Sequence, residues 1–196
     1  MEKINFIKTF IPQGDFREKY EHGGMMVRHL AAVLDEKMGA YECYECTVPI
    51  GEYNEGEIQK AFVEFTAKMD ALKLKQTKVD KIAEITAYDT SSSVNGFMLN
   101  GLLVWLDKAT RVGLMNSTTI AKAAGQQTTT LWLGGLKLVV DCDNAIQLLS
   151  ALEMYALECF NVTASHKQEV SELTTIEEVE AYDYKTGYPE KLNLKV

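Results

Sequence analysis

Residues 99–107 read LNGLLVWLD and residues 133–141 read LGGLKLVVD, two stretches that align at a constant offset of 34 positions. A leucine, a glycine, a second leucine and a final aspartate coincide in the alignment. Asn-Gly and Gly-Gly are dipeptides that accept the positive φ angles of a two-residue hairpin turn. Each stretch therefore predicts two antiparallel strands joined by a tight turn, followed by an aspartate that caps the next helix.

The repeat predicts an α+β fold built from two tandem ββα units. Because a single hairpin buries little apolar surface, we expect the two hairpins to lie side by side as a small antiparallel sheet of four strands, with helices packed on one face. The first helix is expected over about 108–124, with a stop at Gly125, and the second over about 143–170. The positions that the second helix is expected to bury are Ile146, Leu149, Leu152, Ala156, Cys159 and Val162 or Thr163.

Two helix-capping patterns near the C-terminal end of the sequence predict a short helix there. Thr174 and Thr175 each stand three positions before a glutamate, so a short helix is expected from Ile176 to about Tyr182. An aromatic turn follows, and the last residues, KLNLKV, are expected to be loose or to be captured as a strand by a partner.

A long helix is predicted from Asn54 to about Ala87, because no proline or glycine interrupts the chain from Glu57 to Val94. Asn54 and Glu57 form a capping pair at its start. Its apolar positions alternate in steps of four and three, and the series is Ile58, Phe62, Phe65, Met69 and Leu72, continued by Gln76, Val79 and Ala83. Two interpretations follow: a coiled-coil stalk that assembles several copies, or a long amphipathic helix lying on its own domain.

The N-terminal residues 1–24 are expected to form an extended arm, because Pro12, Gly14 and the Gly23-Gly24 pair interrupt any regular element. The arm carries apolar side chains that should dock on this chain or on a partner, and these are Phe6, Ile7, Phe10, Ile11 and Phe16.

The residues between the arm and the long helix divide into two predicted elements. Residues 25–38 place apolar side chains at helical spacing, which predicts a helix. Residues 41–48 predict a strand at a sheet edge or in a two-sided environment, because neither alternating face is purely apolar. The expected organisation is therefore an N-terminal region over 1–53, a long helix or stalk over 54–87 and an α+β domain over 88–196.

The cysteine and acidic motifs of the sequence do not predict a redox or metal site. Cys43 and Cys46 form a CxxC pattern, but residues three apart in a strand point to opposite faces, so a redox pair is not expected. A zinc site would need a second compact ligand pair, and the sequence has no further CxxC and no HxxxH. Asp141 and Asp143 make a DxD pattern, yet Asp141 stands where a helix cap is expected.

Histidine and tryptophan positions give two further expectations. His166 and Glu169 are one helical turn apart and are expected to form a surface pair rather than an acid–base dyad, with the histidine either satisfied by hydrogen bonds or facing solvent. Trp105 and Trp132 lie in the two hairpins and are expected to pack in the core or on the sheet, with an exposed aromatic platform as the alternative.

Composition limits the classes of partner. The 196 residues include 28 acidic and 20 basic side chains, a net charge of -8 that opposes general binding to nucleic acid or anionic lipid. No apolar run reaches the roughly 18 residues of a membrane span. The protein is therefore expected to act in a cytoplasm, or to leave it only inside a particle that lysis releases.

Three pieces of the chain carry a family resemblance, and they read KIAEITAYDTSSSVNGFMLNGLLVWLDKATRVGLM, TTTLWLGGLKLVV and HKQEVSELTTIEEVEAYDY. Together, from about Val79 to Pro189, they resemble a domain of unknown function that is widespread in phage and prophage proteins. In that family a strand leads into a D-x-x-x-R helix, here Asp107 to Arg111. Many carriers are tail-fibre-proximal or resemble tail-fibre assembly proteins, so the resemblance implies a tail-associated role.

We therefore expect a non-catalytic binding protein, either a structural part of the virion or a tail-fibre assembly factor, without a cofactor. Its expected partner is a phage tail, fibre or baseplate protein, and the long helix favours a homo-oligomer. The alternatives are a metal-dependent enzyme that uses the region 141–143 and the cysteines, or a cytoplasmic host-interacting regulatory module. The candidate partner-binding residues are Phe6, Phe10, Phe16, Phe62, Phe65, Met69 and Leu72.

Overall fold

The computed structural model describes residues 4–11, 19–21, 24–35, 40–49 and 51–196. The chain divides into two units, Met1–Lys73 and Leu74–Val196, and the boundary falls within the long helix. Among the described residues, no helix combines the length and the apolar character needed to cross a membrane.

The first unit contains an antiparallel sheet of four strands. They are β1 (Ile7–Ile11), β2 (Lys19–Glu21), β3 (Gly24–Asp35) and β4 (Ala40–Pro49), in the order β1-β4-β3-β2. The helix predicted over 25–38 is wrong, because this segment pairs with β4 along most of its length and so satisfies its backbone in a sheet. The strand predicted over 41–48 is confirmed, but it lies between β1 and β3 rather than at an edge.

The expected N-terminal arm is partly a strand, because Ile7–Ile11 pairs with β4. Pro12, Gly14 and Phe16 lie outside the described residues. Packing explains the strand: Phe6 is buried in an apolar cluster with Cys46 and Val48 of the sheet.

The helix α1 (Glu55–Asp89) begins as predicted. The backbone N–H of Asn54 donates to Glu57 Oε2 at 2.9 Å, and that of Glu57 donates to Asn54 Oδ1 at 3.0 Å. Its apolar seam does not stay on a single buried face, since Ile58 is buried whereas Leu72 and Val79 are half-exposed. The amphipathic interpretation therefore describes the two ends of α1, since Ile58 packs in the apolar cluster of the first unit and Ile85 packs in a cluster of the second unit.

The second unit contains both predicted hairpins, after a short helix α2 (Ser92–Asn95). The strands are β5 (Phe97–Leu99) with β6 (Leu102–Val104), and β7 (Thr128–Leu133) with β8 (Leu136–Asp141). All four turn residues, Asn100, Gly101, Gly134 and Gly135, have positive φ, as the turn type requires.

The two hairpins do not merge into the expected four-stranded sheet. A short strand β9 (Asn193–Leu194) pairs in parallel with β5, so that one sheet has the order β6-β5-β9 and the other contains β7 and β8 alone. The tail expected to be loose or captured by a partner is thus captured by its own chain. The sheets instead meet in one core, whose buried members are Phe97, Leu99, Val104, Leu106, Leu131, Leu133, Ala145, Leu149 and Leu152.

Three helices complete the second unit, and their predicted caps are confirmed. They are α3 (Lys108–Ala123), α4 (Cys142–Glu172) and α5 (Ile176–Ala181). Asp107 accepts a hydrogen bond from the N–H of Thr110 at 2.8 Å, Asp141 accepts one from that of Asp143 at 2.8 Å, and Thr175 forms a capping box with Glu178.

The buried face of α4 largely follows the prediction. Leu149, Leu152, Cys159 and Thr163 are buried, whereas the side chains that are only half-buried are Ile146, Ala156 and Val162.

Candidate functional site

An open cavity of about 660 Å³ in the second unit, here called the groove, lies between the end of α1, the β6–α3 junction and α4. Its apolar wall is formed by Trp105, Leu157 and Phe160. The charged residues among its lining are Asp89, Asp107, Lys108, Arg111 and Glu153.

The apolar wall is unusually open to solvent. The exposed fractions are 41% for Trp105, 51% for Leu157 and 59% for Phe160. Leu157 and Phe160 are three positions apart on α4, so they lie side by side on one helix face. A contiguous exposed apolar surface of this kind marks an interaction site more often than a random surface position does.

The tryptophans correct an expectation from the sequence. Both were expected in the core or packed on the sheet, yet Trp105 and Trp132 are exposed. Trp105 follows β6 and contributes to the groove, so its indole is positioned at the end of a strand rather than inside the sheet. The alternative of an aromatic platform describes Trp105 better.

The floor of the groove is an ion pair. Arg111 is 8% exposed, and its Nε donates to Glu153 Oε1 at 2.9 Å while its Nη1 donates to the carbonyl oxygen of Leu106 at 2.8 Å. The arginine of the D-x-x-x-R pattern therefore connects the end of the first hairpin to α4. Its partner Glu153 stands 42 positions away, and no local pattern could have identified it.

The rim carboxylates are also engaged within the chain. Asp107 accepts from the hydroxyl and the backbone N–H of Thr110, and these hydrogen bonds, the hydroxyl first, lower the pKa of its carboxyl. Asp89 accepts from the Thr163 hydroxyl at 2.9 Å. These hydrogen bonds fix the positions of the two carboxylates at the edge of the groove.

The groove is lined by apolar, aromatic and charged side chains together with one threonine and one asparagine. Among the described residues that line it, there is no histidine, cysteine or serine. The arrangement offers apolar and aromatic contact area above a fixed ion pair, with acidic and basic groups at the edge.

The candidate partner-binding residues predicted from the sequence lie elsewhere. Phe6 is buried, with its ring centroid 5.2 Å from that of Phe62 and 5.4 Å from that of Phe65. These three aromatic residues therefore pack on one another in the first unit. Phe10 and Leu72 are exposed, Met69 is half-buried, and Phe16 lies outside the described residues.

A signal for the groove was present in the sequence. Leu157 and Phe160 fall outside the positions expected to be buried on α4, where polar residues are usual. Two large apolar residues at helical spacing outside the predicted core face predict a second contact surface.

The residues considered for metal or redox chemistry have structural surroundings. Cys43 and Cys46 are both buried in the continuous strand β4, and Cys142 and Cys159 are buried in the second unit. Asp143 forms an ion pair with Lys122. In the part of the chain that the structure describes, no three histidine, cysteine or acidic side chains are grouped to hold a metal ion.

His166 differs from its predicted place on the surface. It is buried, and it reaches Glu169 only through the hydroxyl of Tyr182, which lies beyond α5. The expected surface pair is therefore wrong, because the folded C-terminal segment covers this face of α4. The alternative of a satisfied histidine is confirmed, since both ring nitrogens have hydrogen-bond partners.

Residues 76–186 match a protein family described as a domain of unknown function, DUF4376. The match covers more than half of the 196 residues and includes every residue that lines the groove. No curated protein and no solved structure shows a significant match to the chain.

Proposed function

The chain belongs to the DUF4376 family, and from that premise we propose that it is a non-catalytic binding protein associated with a bacteriophage tail. The resemblance described from its sequence supports the phage context, because many proteins with that pattern stand close to tail fibres. The role is that of a structural virion component or of a tail-fibre assembly factor.

The groove is the observation that carries the binding role. Three large apolar side chains are about half-exposed around a cavity of about 660 Å³, and the charged residues Arg111 and Glu153 beneath them are paired with each other. Burying such a wall against a partner removes apolar area from water and is favourable by roughly 25 cal/mol per Å² before the costs of association.

The charge of the protein supports a particular kind of partner. Asp89 and Asp107 lie at the rim, and the chain as a whole has a net charge of -8. A segment of a tail, fibre or baseplate protein that carries an apolar or aromatic residue beside a basic residue would match both the wall and the rim. Trp105 and Phe160 would also provide aromatic faces for that basic side chain.

Self-association through α1 is part of the proposal. Leu72 and Val79 belong to the heptad seam and are half-exposed, so they present apolar side chains seven positions apart. A coiled-coil contact with a second copy would use these positions together with the alternating position between them, where Gln76 places a polar side chain. A homo-oligomer would display several grooves to a fibre that is itself oligomeric.

The binding experiment uses the full chain co-expressed with the fibre or baseplate protein encoded beside it. Leu157→Ser combined with Phe160→Ser should weaken binding at least about tenfold, because each change removes a large apolar contact. The matched control combines Ile120→Ser with Trp132→Ser, which change side chains that are 69% and 59% exposed outside the groove. Equal loss with both pairs, or no loss with the first, would reject the groove as the binding site.

Composition of purified particles separates the two roles. Quantitative mass spectrometry of phage from the encoding genome should find the protein at a fixed copy number if it is a virion component. Absence from particles that do contain the fibre, together with soluble fibre only on co-expression, would identify an assembly factor. Absence combined with normal fibre folding in a deletion strain would reject the tail-associated function.

A further inference from the structure

The hairpin of β7 and β8 forms a sheet of two strands, with no further strand on either side among the described residues. An edge strand presents unpaired backbone N–H and C=O groups, which are a template for pairing with another strand. None of the residues of β8 lines the groove. The outer edge of β8 is therefore a separate surface on which another chain can add a strand.

The register of the hairpin decides which backbone groups face this edge. Leu133 pairs with Leu136 across the two-residue turn, so these two residues exchange hydrogen bonds, and bonded pairs recur at every second position. The N–H of Cys142 donates to the carbonyl oxygen of Gln127 at 2.9 Å, which continues the same alternation. The residues of β8 whose backbone groups point away from β7 are therefore Lys137, Val139 and Asp141.

The side chains of these three residues, here called the β8 edge, share one face of the strand. Burial alternates along β8, and Lys137, Val139 and Asp141 are its exposed positions. Lys137 makes no hydrogen bond or ion pair with the described residues. Oδ1 of Asp141 accepts from the N–H of Asp143 at 2.8 Å, whereas its Oδ2 has no hydrogen-bond partner within the described part of the chain. The β8 edge thus carries one cation and one carboxylate oxygen that a second chain can reach.

The order of the charges makes the β8 edge complementary to itself. In an antiparallel pairing of two copies that is centred on Val139, Lys137 of each copy lies opposite Asp141 of the other. Centring the pairing on Lys137 or on Asp141 would place like charges opposite each other, which is destabilising. In the register centred on Val139, each opposing pair also exchanges backbone hydrogen bonds, because all three residues direct these groups to the edge.

The outer edge of β7 lacks this property. Its outward-facing residues are Thr128, Thr130 and Trp132. None of them is charged, so no register of that edge is favoured by electrostatic complementarity. The comparison selects β8 as the strand that pairs and leaves β7 as an internal control.

We propose that two copies of the chain associate through β8, so that their hairpins form one antiparallel sheet of four strands in the order β7-β8-β8-β7. On the outer face, Val139 of one copy lies beside Val139 of the other, and both exposed side chains lose apolar contact with water. This contact is independent of the groove and of the association proposed for α1.

Val139→Pro in the full-length protein tests the backbone contact. The N–H of residue 139 points away from β7, so proline removes hydrogen bonds between the copies and none within the hairpin. Sedimentation equilibrium should show self-association weakened at least about tenfold, because each copy loses one hydrogen bond. The matched control is Thr130→Pro, which removes an outward N–H from β7 and should associate like the wild type. A wild type that is monomeric at all concentrations, or equal effects of the two variants, would overturn the proposal.

Lys137→Glu tests the register without a proline. The glutamate lies opposite Asp141 of the second copy, so association should weaken about tenfold, and more so at low salt. Adding Asp141→Asn removes the repulsion, keeps an acceptor for the cap of α4 and should strengthen association relative to Lys137→Glu alone. Residues 137 and 141 of one strand are about 13 Å apart, so this recovery cannot arise within a single chain. Association that Lys137→Glu leaves unchanged, or no recovery in the double variant, would contradict the register.

Cysteine cross-linking separates this contact from one through α1. In the proposed register, the Cα atoms of Val139→Cys in the two copies are about 5.5 Å apart, within the range of a disulfide. Mild oxidation should give a covalent dimer, also when Leu72→Ser and Val79→Ser remove the apolar contact proposed for α1. Lys137→Cys should not cross-link, since its two copies are more than about 10 Å apart. Cross-linking at both positions, or at neither, would reject the pairing of β8 with its copy.

These outcomes do not depend on a tail protein, so they leave the test of the proposed binding function separate.

Discussion

Gly134 and Gly135 are adjacent in the turn between β7 and β8, and both have positive φ, but their surroundings differ. A Cβ atom on Gly134 would lie 3.0 Å from each methyl group of Val104, whereas one on Gly135 would have nothing within 4 Å. Backbone strain alone predicts that Gly135→Ala costs about 1–2 kcal/mol. Gly134→Ala should cost a further 1–3 kcal/mol or so from overpacking. Urea denaturation of the two variants measures the difference, and equal losses would contradict it.

The Arg111–Glu153 pair supports a second prediction at the residue scale. Arg111→Met leaves the Leu106 carbonyl and the Glu153 carboxylate without their charged donor, so the free energy of unfolding should fall by about 1.5–3 kcal/mol. Glu153→Gln keeps an oxygen acceptor near Arg111 and should cost clearly less. Equilibrium urea denaturation measures the free energy of unfolding of both variants. A larger loss for Glu153→Gln than for Arg111→Met would contradict the expectation that the charged donor matters more than the charged acceptor.

Local contacts are the part of the fold that the sequence predicts well, and Asp107 of the groove is one of them. Asn54, Asp107, Asp141 and Thr175 cap their helices as expected, because each capping contact is made within about three residues and depends little on the rest of the fold. The partner of Arg111 could not be predicted in this way, because it depends on how α3 and α4 pack.

At the scale of elements, α5 offers a test of capping. Thr175 accepts from the N–H of Glu178 at 3.2 Å, and Glu178 accepts in return from the N–H of Thr175 at 3.0 Å. Thr175→Ala should cost about 1 kcal/mol, whereas Thr174→Ala, whose hydroxyl lies 3.4 Å from Glu178, should cost only a few tenths. Thermal denaturation of both variants provides the comparison. Comparable losses would mean that the capping box is not the main support of α5.

The cap of α3 makes a prediction about acid stability. Because hydrogen bonds from Thr110 lower the pKa of Asp107 in the folded chain, its carboxylate contributes stability above the unfolded value of about 4, and this is lost as pH falls through the lowered pKa. Asp107→Asn keeps an acceptor that cannot titrate. The difference in unfolding free energy between the wild type and this variant should therefore shrink as pH falls from about 5 to 2. A difference that is constant over this range would be inconsistent with a titrating cap.

The strand β3 shows why one element was assigned wrongly from the sequence. A strand is recognised by strict alternation, but β3 has register shifts between Leu30 and Ala32 and between Val33 and Asp35. An extra residue at each shift interrupts the strict alternation that predicts a strand, and the apolar residues of this segment fall in the sequence at a spacing close to that of a helix. Pairing with β4 then decides the conformation, and that pairing is not visible in a local window.

At the scale of the whole molecule, the second unit should fold by itself. Its three apolar clusters, centred on Phe97, Ile85 and Val94, draw all their members from residues 74–196. A fragment of residues 74–196 should therefore unfold in one cooperative transition and give a well-dispersed NMR spectrum. A fragment with helical circular dichroism but no cooperative transition would show that the first 73 residues are needed for its packing.

The sequence repeat predicts the two hairpins but not how their strands are arranged in sheets. Both hairpins and their turns follow from the aligned stretches 99–107 and 133–141, because turn chemistry is local. Their assembly is not local: β9 occupies one side of β5, and the two hairpins meet through their side chains in the core instead of through hydrogen bonds. A strand of two residues has no periodicity to detect, so its place could not be predicted.

The parallel pairing of β9 with β5 has a kinetic consequence. The N–H of Val196 donates to Asn100 Oδ1, a contact between residues 96 positions apart, and the N–H of Met98 donates to the carbonyl oxygen of Leu192 nearby. Forming this contact closes a loop that contains most of the second unit, and the entropy of that closure must be offset by contacts that already exist. The hairpins and helices can form from near neighbours, so β9 would dock last during refolding and leave first during unfolding.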